Sequence, residues 1–250
     1  MVAPSFLCRW GERRAVSAAA WLRQRQHDSL LWPRRLVRDL PVRLGRLARR
    51  PTPPQPAAAM MPPRLFRTHA LLALLLDLFG ALELLQIWLR LGARTSPLTP
   101  EEQQAVAAVL GETALRYGDV RIAEGGWLRL AFWLNGRRAF ALGHTIFMPE
   151  KGRADLSLLV HELVHTGQYE RLGSRYIGEA LYAQWRLGRG CYDYGGPGGL
   201  AARVGVEQPY ACFNREAQAQ IVMDYVRRKE AGEDVRPYEP FIAALRQGAF

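Results

Sequence analysis

Two histidines four residues apart, with a glutamate directly after the first, constrain this chain more than any other stretch: His161-Glu162-Leu163-Val164-His165. On an α-helix, residues i and i+4 project from one face, so both imidazoles reach a single ion while Glu162 leans beside it. Neutral imidazoles are good zinc ligands, and a carboxylate so placed takes a proton from a zinc-activated water, which is the chemistry of the HExxH pattern. The flanks favour a helix. Leu156, Leu158, Leu159, Val160, Leu163 and Val164 recur at helical intervals, and Asp155 can cap the start.

A catalytic zinc takes a third protein ligand and leaves a position open. No third histidine follows at the short metzincin spacing, so a carboxylate is expected. Glu216 is the first choice, because Asn214-Arg215-Glu216-Ala217-Gln218-Ala219-Gln220 opens a second helix whose small residues allow close approach. Glu179, in Tyr176-Ile177-Gly178-Glu179-Ala180, is the runner-up.

Around this pair the pattern predicts mixed α and β structure. Thr99-Pro100-Glu101-Glu102 is a helix start, with Thr as N-cap, Pro at the first position and acids in the first turn; that helix should end at Gly111. Tyr117 to Ile122 alternates like a short strand, Trp127 to Leu134 is a second candidate, and Arg138 to Met148 reads as a strand or hairpin arm. Helices are expected from Asp155 to about Tyr169, from Ser174 to about Arg186 and from Asn214 to about Lys229, with a glycine-rich loop over residues 188–199.

The N-terminal third differs in composition. Residues 1–59 hold twelve Arg against Glu12, Asp28 and Asp39, so most of the net charge of +11 lies there and the rest of the chain is nearly neutral. No nucleic-acid partner is expected of such a body. The run Pro51-Thr52-Pro53-Pro54-Gln55-Pro56 marks a linker, and Met60 and Met61 follow it, so residues 1–59 are read as a disordered arm or a mis-extended start.

From Ala70 to Leu91 the chain is dominated by Leu, interrupted by Asp77, Glu83, Gln86 and Arg90. The length suits a membrane span of about 20 residues. The charges suit an amphipathic helix lying on a membrane or on the domain, since Glu83, Gln86 and Arg90 share one helical face. A span with the arm present puts the N-terminus in the cytoplasm and the body in the periplasm; the alternative is a soluble cytoplasmic protein. The expected division is therefore an arm over 1–59, a Leu-rich helix and membrane anchor over 60–95, and a metal-binding domain over 96–250. Cys191 and Cys212 can either pair or remain buried thiols, and with Cys8 they form no metal or disulfide framework.

The order of these features resembles the gluzincin metallopeptidase domains of bacterial contractile-injection and Vgr-related proteins. It rests on the Leu98-Thr99-Pro100-Glu101 helix start, the Tyr117–Ile122 and Leu142-Gly143-His144-Thr145-Ile146 strands, His161–His165 with Gln168, the Tyr192-Asp193-Tyr194 loop, and Phe213-Asn214-Arg215-Glu216-Ala217-Gln218-Ala219. The chain departs from the family at Gly167, where an aromatic is usual, and at Arg215-Glu216-Ala217, where Glu-Gln-Gln is usual. The resemblance implies an α+β, zincin-like fold, mostly helical, with a small sheet before the HExxH helix and an N-terminal Leu-rich helix. It implies Zn2+ held by His161, His165 and Glu216, Glu162 as general base, and a peptide or protein substrate. Tyr192, Tyr194, Tyr210 and His144 are the candidate donors to an oxyanion. Two other functions fit the same residues: a non-catalytic metal-binding module of a secretion or envelope assembly, and a membrane-anchored scaffold without metal.

Overall fold

The computed structural model describes residues 22, 32–45, 61–125, 128, 132–133, 136–149 and 156–249. It is mixed α and β, mostly helical, with a small four-stranded sheet. Residues 32–45 form α1, followed by α2 (Pro63–Leu78), α3 (Ala81–Arg90), β1 (Arg94–Pro97) and α4 (Pro100–Leu110). Next come β2 (Arg121–Glu124), β3 (Phe140–Leu142), β4 (Thr145–Met148), α5 (Leu156–Leu172) and α6 (Arg175–Leu187). The chain ends in α7 (Gly196–Gly205), α8 (Arg215–Glu230) and α9 (Glu239–Arg246).

The sheet runs β1-β2-β4-β3, parallel between β2 and β4 and antiparallel at both edges. The central strands are buried throughout, because both faces of the sheet are covered. Ile122, Ile146 and Met148 join the main core with Leu159 and Leu163 of α5, while Ala123 and Phe147 pack on the other face with Leu128 and Phe132. That is the period-two alternation a strand imposes. Leu128, Phe132 and Trp133 are helical, which corrects the strand expected over residues 127–134; the remainder of that stretch lies outside the described residues. The strand expected from Tyr117 starts only at Arg121, after a 3-10 turn over Tyr117–Asp119.

Local signals place several helices. The Thr99 hydroxyl accepts from the Glu102 N–H at 3.2 Å, and the Glu102 carboxylate accepts from the Thr99 N–H at 3.0 Å, closing a capping box at the start of α4. Gly111 ends it. The loop expected over residues 188–199 is a 3-10 turn, Gly188–Tyr192, and then the first turn of α7, anchored by the fully buried Leu200.

The Leu-rich stretch is bent where one continuous helix was expected. It breaks at Phe79–Gly80, where Gly80 takes a left-handed φ of 61°, and α2 and α3 meet at a 67° bend. A side chain at Gly80 would also meet Trp32 and Leu36 of α1, so the elbow requires glycine twice over. No single described helix is long and apolar enough to cross a membrane.

The polar residues of the elbow from Asp77 onward turn inward. Asp77 accepts from the Ser174 N–H at 2.9 Å and hydroxyl at 2.6 Å, fixing the start of α6. Glu83 accepts from the Tyr169 hydroxyl at 2.8 Å. Gln86 accepts from the His144 N–H and the Thr145 hydroxyl, both at 3.1 Å, and so holds the β3–β4 turn.

In the segment expected to be a disordered arm, α1 docks on the body. Arg35 and Arg38 pair with Asp119 at 3.2 and 3.0 Å, Asp39 with Arg116 at 3.0 Å, and the buried Arg43 pairs with Glu83. β1 spans the expected boundary at residues 95–96 and pairs with β2, tying the elbow to the sheet. Removing one partner of a buried ion pair strands the other charge at a cost of about 3–5 kcal/mol. Arg43→Ala is therefore expected to lower stability by that amount in urea unfolding. A loss below about 1 kcal/mol, the size of an exposed pair, would show that α1 does not brace the elbow.

Candidate metal centre

His161 and His165 face the N-terminal turn of α8, and three features of the sequence bring Glu216 to them. Asn214 accepts from the N–H groups of Glu216 and Ala217 at 3.0 Å, so α8 begins with Glu216 in its first turn, where the helix dipole favours a carboxylate. Ala217 and Ala219 are fully buried and small, and Gly167 of α5 is buried too, so α5 and α8 pack closely. Gln184 of α6 donates to Glu216 Oε1 at 3.0 Å, which leaves Oε2 for the histidines.

Glu216 Oε2 stands 3.8 Å from His161 Nε2 and 3.6 Å from His165 Nε2, and the three ligand atoms lie within 4.8 Å of one another. Ligand atoms about 2.0–2.1 Å from a tetrahedral zinc stand about 3.3 Å apart. The group can therefore hold a metal ion once its ligand atoms draw together, the two carboxylate–imidazole separations by about 0.3–0.5 Å and the widest by no more than about 1.5 Å. All three side chains are buried.

The protonation pattern points the same way. Burial works against charge on Glu216, but the two histidines and the Gln184 amide outweigh it and hold the carboxyl down at about 2. Burial and the adjacent His165 keep the His161 imidazole neutral. At His165 burial is outweighed by Glu216, and the ring is held protonated above its ordinary value. The cluster thus keeps an ionised carboxylate and gathers positive charge beside it, a place a cation can take.

His165 is oriented from behind. Its Nδ1 lies 2.9 Å from Gln168 Oε1, whose amide in turn donates to the Arg215 carbonyl at 3.1 Å and to Gln218 Oε1 at 2.8 Å. An acceptor at Nδ1 keeps a proton there, so that Nε2 turns a lone pair toward the ion site once a metal displaces its own proton. Glu179, the alternative ligand, lies elsewhere: it accepts from Arg215 at 2.6 Å and stands in an ion pair with Arg175 at 2.8 Å. It braces the residue before Glu216 and does not join the metal group.

The site forms the floor of a cleft of about 620 Å³. One wall is the edge strand β3 with Arg137 and Arg138; the other is α6, through Tyr176, Ile177, Ala180 and Leu181. Glu162 opens into this cleft. The Ala141 backbone donates to its carboxylate, while Oε2 is buried with no hydrogen-bond partner among the described residues. Burial raises its carboxyl to about 7.

Of the four candidate oxyanion donors, only Tyr192 reaches the cleft, its ring 6.3 Å from that of His161. Burial pushes its phenol up, so it remains a donor. Tyr194 bonds Asp224 and Tyr238 at 2.7 and 2.8 Å, Tyr210 donates to the Gln218 carbonyl at 2.7 Å, and His144 pairs with Glu170 at 2.8 Å; these three are structural. Cys191 and Cys212 are buried and form no disulfide with each other.

The sequence reading missed Gln184, Tyr176 and Ala141. Tyr176 stacks 6.3 Å from His165 and donates to the Ala141 carbonyl at 3.0 Å, pinning β3 beside the site. Gln168 was recoverable from its i+3 spacing to His165; the other three act across elements that only the tertiary fold brings together. Comparison of the chain with protein-family models, with curated proteins and with solved structures gave no match.

Loss of the outer partner of a ligating histidine typically weakens metal binding about 10–100-fold. Gln168→Leu is expected to show that drop in a chelator-competition titration. Unchanged affinity would mean that Gln168 does not orient His165.

Proposed function

We propose that this chain is a zinc-dependent hydrolase of the gluzincin kind, acting on peptide bonds, with His161, His165 and Glu216 as metal ligands and Glu162 as general base. The observation that carries this reading is the unpartnered Oε2 of Glu162, buried in the cleft directly beside a group of three side chains able to hold a metal. A buried carboxylate oxygen without a partner is costly, and such groups recur where a reaction uses them.

Two imidazoles and one carboxylate are a catalytic zinc donor set, with a further position open for water or substrate. Zinc bound there supplies Lewis acidity, polarising a carbonyl and acidifying water. The chain's own groups do the rest. Gln168 fixes the His165 ring, and Gln184 aims Glu216. Glu162 removes a proton from the water whose oxygen adds to the carbonyl carbon, then returns it to the nitrogen as the C–N bond breaks. A group held near neutral pH is suited to both transfers. Tyr192 supplies a hydroxyl donor on the cleft wall for the carbonyl oxygen.

Peptide as substrate is supported by β3. Among the described residues it pairs only with β4 and lines the cleft as a sheet edge along which an extended peptide can lie, the Ala141 N–H and carbonyl at its centre being already taken by Glu162 and Tyr176. The cleft's largely aliphatic and aromatic walls suit apolar side chains alternating along such a peptide.

Glu162→Gln keeps the shape and removes the base. Against a peptide library it is expected to retain zinc and lose about 10²–10⁴-fold in turnover. Full activity in that variant would overturn the base assignment. Wild-type protein that holds zinc yet cleaves no peptide would instead support a metal-binding structural module.

A further inference from the structure

The α2–α3 elbow is amphipathic in an inverted sense. From Asp77 onward its charged and amide side chains, Asp77, Glu83, Gln86 and Arg90, are buried against the body, each 8% exposed or less. Its large apolar side chains face outward: Leu72, Leu75, Leu76 and Phe79 along α2, and Leu85 and Trp88 along α3, with Phe79 73% and Trp88 57% exposed. The spacings i, i+3, i+4, i+7 on α2 and i, i+3 on α3 put each set on one helical face. Monomer surfaces rarely leave an apolar patch beyond a few hundred Å² without a binding role.

We infer that this ridge docks the protein in the plane of an anionic lipid bilayer, without crossing it. Charge complementarity selects the bilayer. Arg64 and Arg67 stand exposed on the first turns of α2, and the sequence before it is Arg-rich, with Arg35, Arg38 and Arg43 of its twelve arginines paired to the body. Apolar helix faces flanked by arginine, with an indole at their margin, bind the headgroup boundary of anionic membranes. Protein partners usually meet about one hydrogen bond per 100–200 Å², and the outward face between Leu71 and Leu91 carries no polar side chain to make them except the Trp88 indole.

Neither helix spans alone: the sixteen residues of α2 and ten of α3 reach about 24 and 15 Å, short of the roughly 30 Å hydrocarbon core, and the bent pair passes as a span by length and composition only. Withdrawing the elbow for insertion would also strip Ser174, Tyr169, and His144 with Thr145 of their contacts to Asp77, Glu83 and Gln86 respectively. The elbow therefore lies on the membrane while still bound to the body. His69 of α2 lies against Gly178 of α6, and α6 is also a wall of the metal cleft, so the thickness of α2 and α6, about two helix diameters or roughly 20 Å, separates the docking face from the cleft.

The test is flotation of the full-length chain with preformed phosphatidylglycerol–phosphatidylcholine vesicles, beside phosphatidylcholine alone. Wild type is expected to float with the anionic vesicles and only weakly with the neutral ones. Leu72→Gln/Phe79→Gln/Trp88→Gln is expected to bind on the order of 10²-fold more weakly, and Arg64→Gln/Arg67→Gln to lose the preference for anionic lipid. Circular dichroism matching wild type establishes that the triple variant is folded; should it not be, the exposed single variants Leu72→Gln and Phe79→Gln give the same reading. Wild type that stays with the soluble fraction, or a folded triple variant that floats equally well, overturns the inference. So does a wild-type dimer that the triple variant dissolves while neither binds vesicles, since a second copy would then cover the ridge. Flotation reads neither metal nor turnover, so the hydrolase proposal stands or falls separately.

Discussion

Close contact between α5 and α8 is the constraint on which the rest of this structure depends. It brings an ionised carboxylate, Glu216, out of water and against two imidazoles. Burying a carboxylate is unfavourable unless opposite charge and hydrogen bonds offset it. Here the offset comes from the histidines, the Gln184 amide and the helix start capped by Asn214. Small buried residues suit this approach, Ala219 of α8 lying beside His161.

Around that contact the polar groups form a chain in which each member holds the next. Glu179 braces Arg215, Arg215 and Gln168 share Gln218, and Gln168 orients His165. Tyr176 ties the edge strand to the same region through Ala141, whose N–H also meets Glu162. The elbow joins this system from outside: Gln86 holds the β3–β4 turn and Asp77 holds the start of α6, so the two walls of the cleft are fixed by the element that carries the exposed apolar ridge. The proposed membrane contact and the proposed reaction site therefore rest on shared supports.

What the sequence reveals here follows the range of the interaction. The HExxH helix, the Thr99 capping box, the Gly111 stop and the Asn214 helix start are set by neighbours within four residues, and each is legible from residue order. The approach of Glu216 to the two histidines is legible because its helix announces itself by its cap. The break at Gly80 is not, since glycine in a Leu-rich run is tolerated in a helix; only the approach of Trp32 and Leu36 shows why the chain turns there. The inward polar face of the elbow is visible as a helical pattern, but its partners Ser174, Tyr169 and Arg43 lie tens of residues away. α7 escapes notice because four of its ten residues are glycine and its single buried anchor is Leu200.

The claim that the structure supports most directly is a single metal held by His161, His165 and Glu216. Metal content per chain, measured by mass spectrometry of purified wild type, His161→Ala and Glu216→Ala after equilibration with limiting zinc, tests it without any assumption about substrate. The account requires about one zinc per wild-type chain and background levels in both variants. Undiminished zinc in both would contradict it.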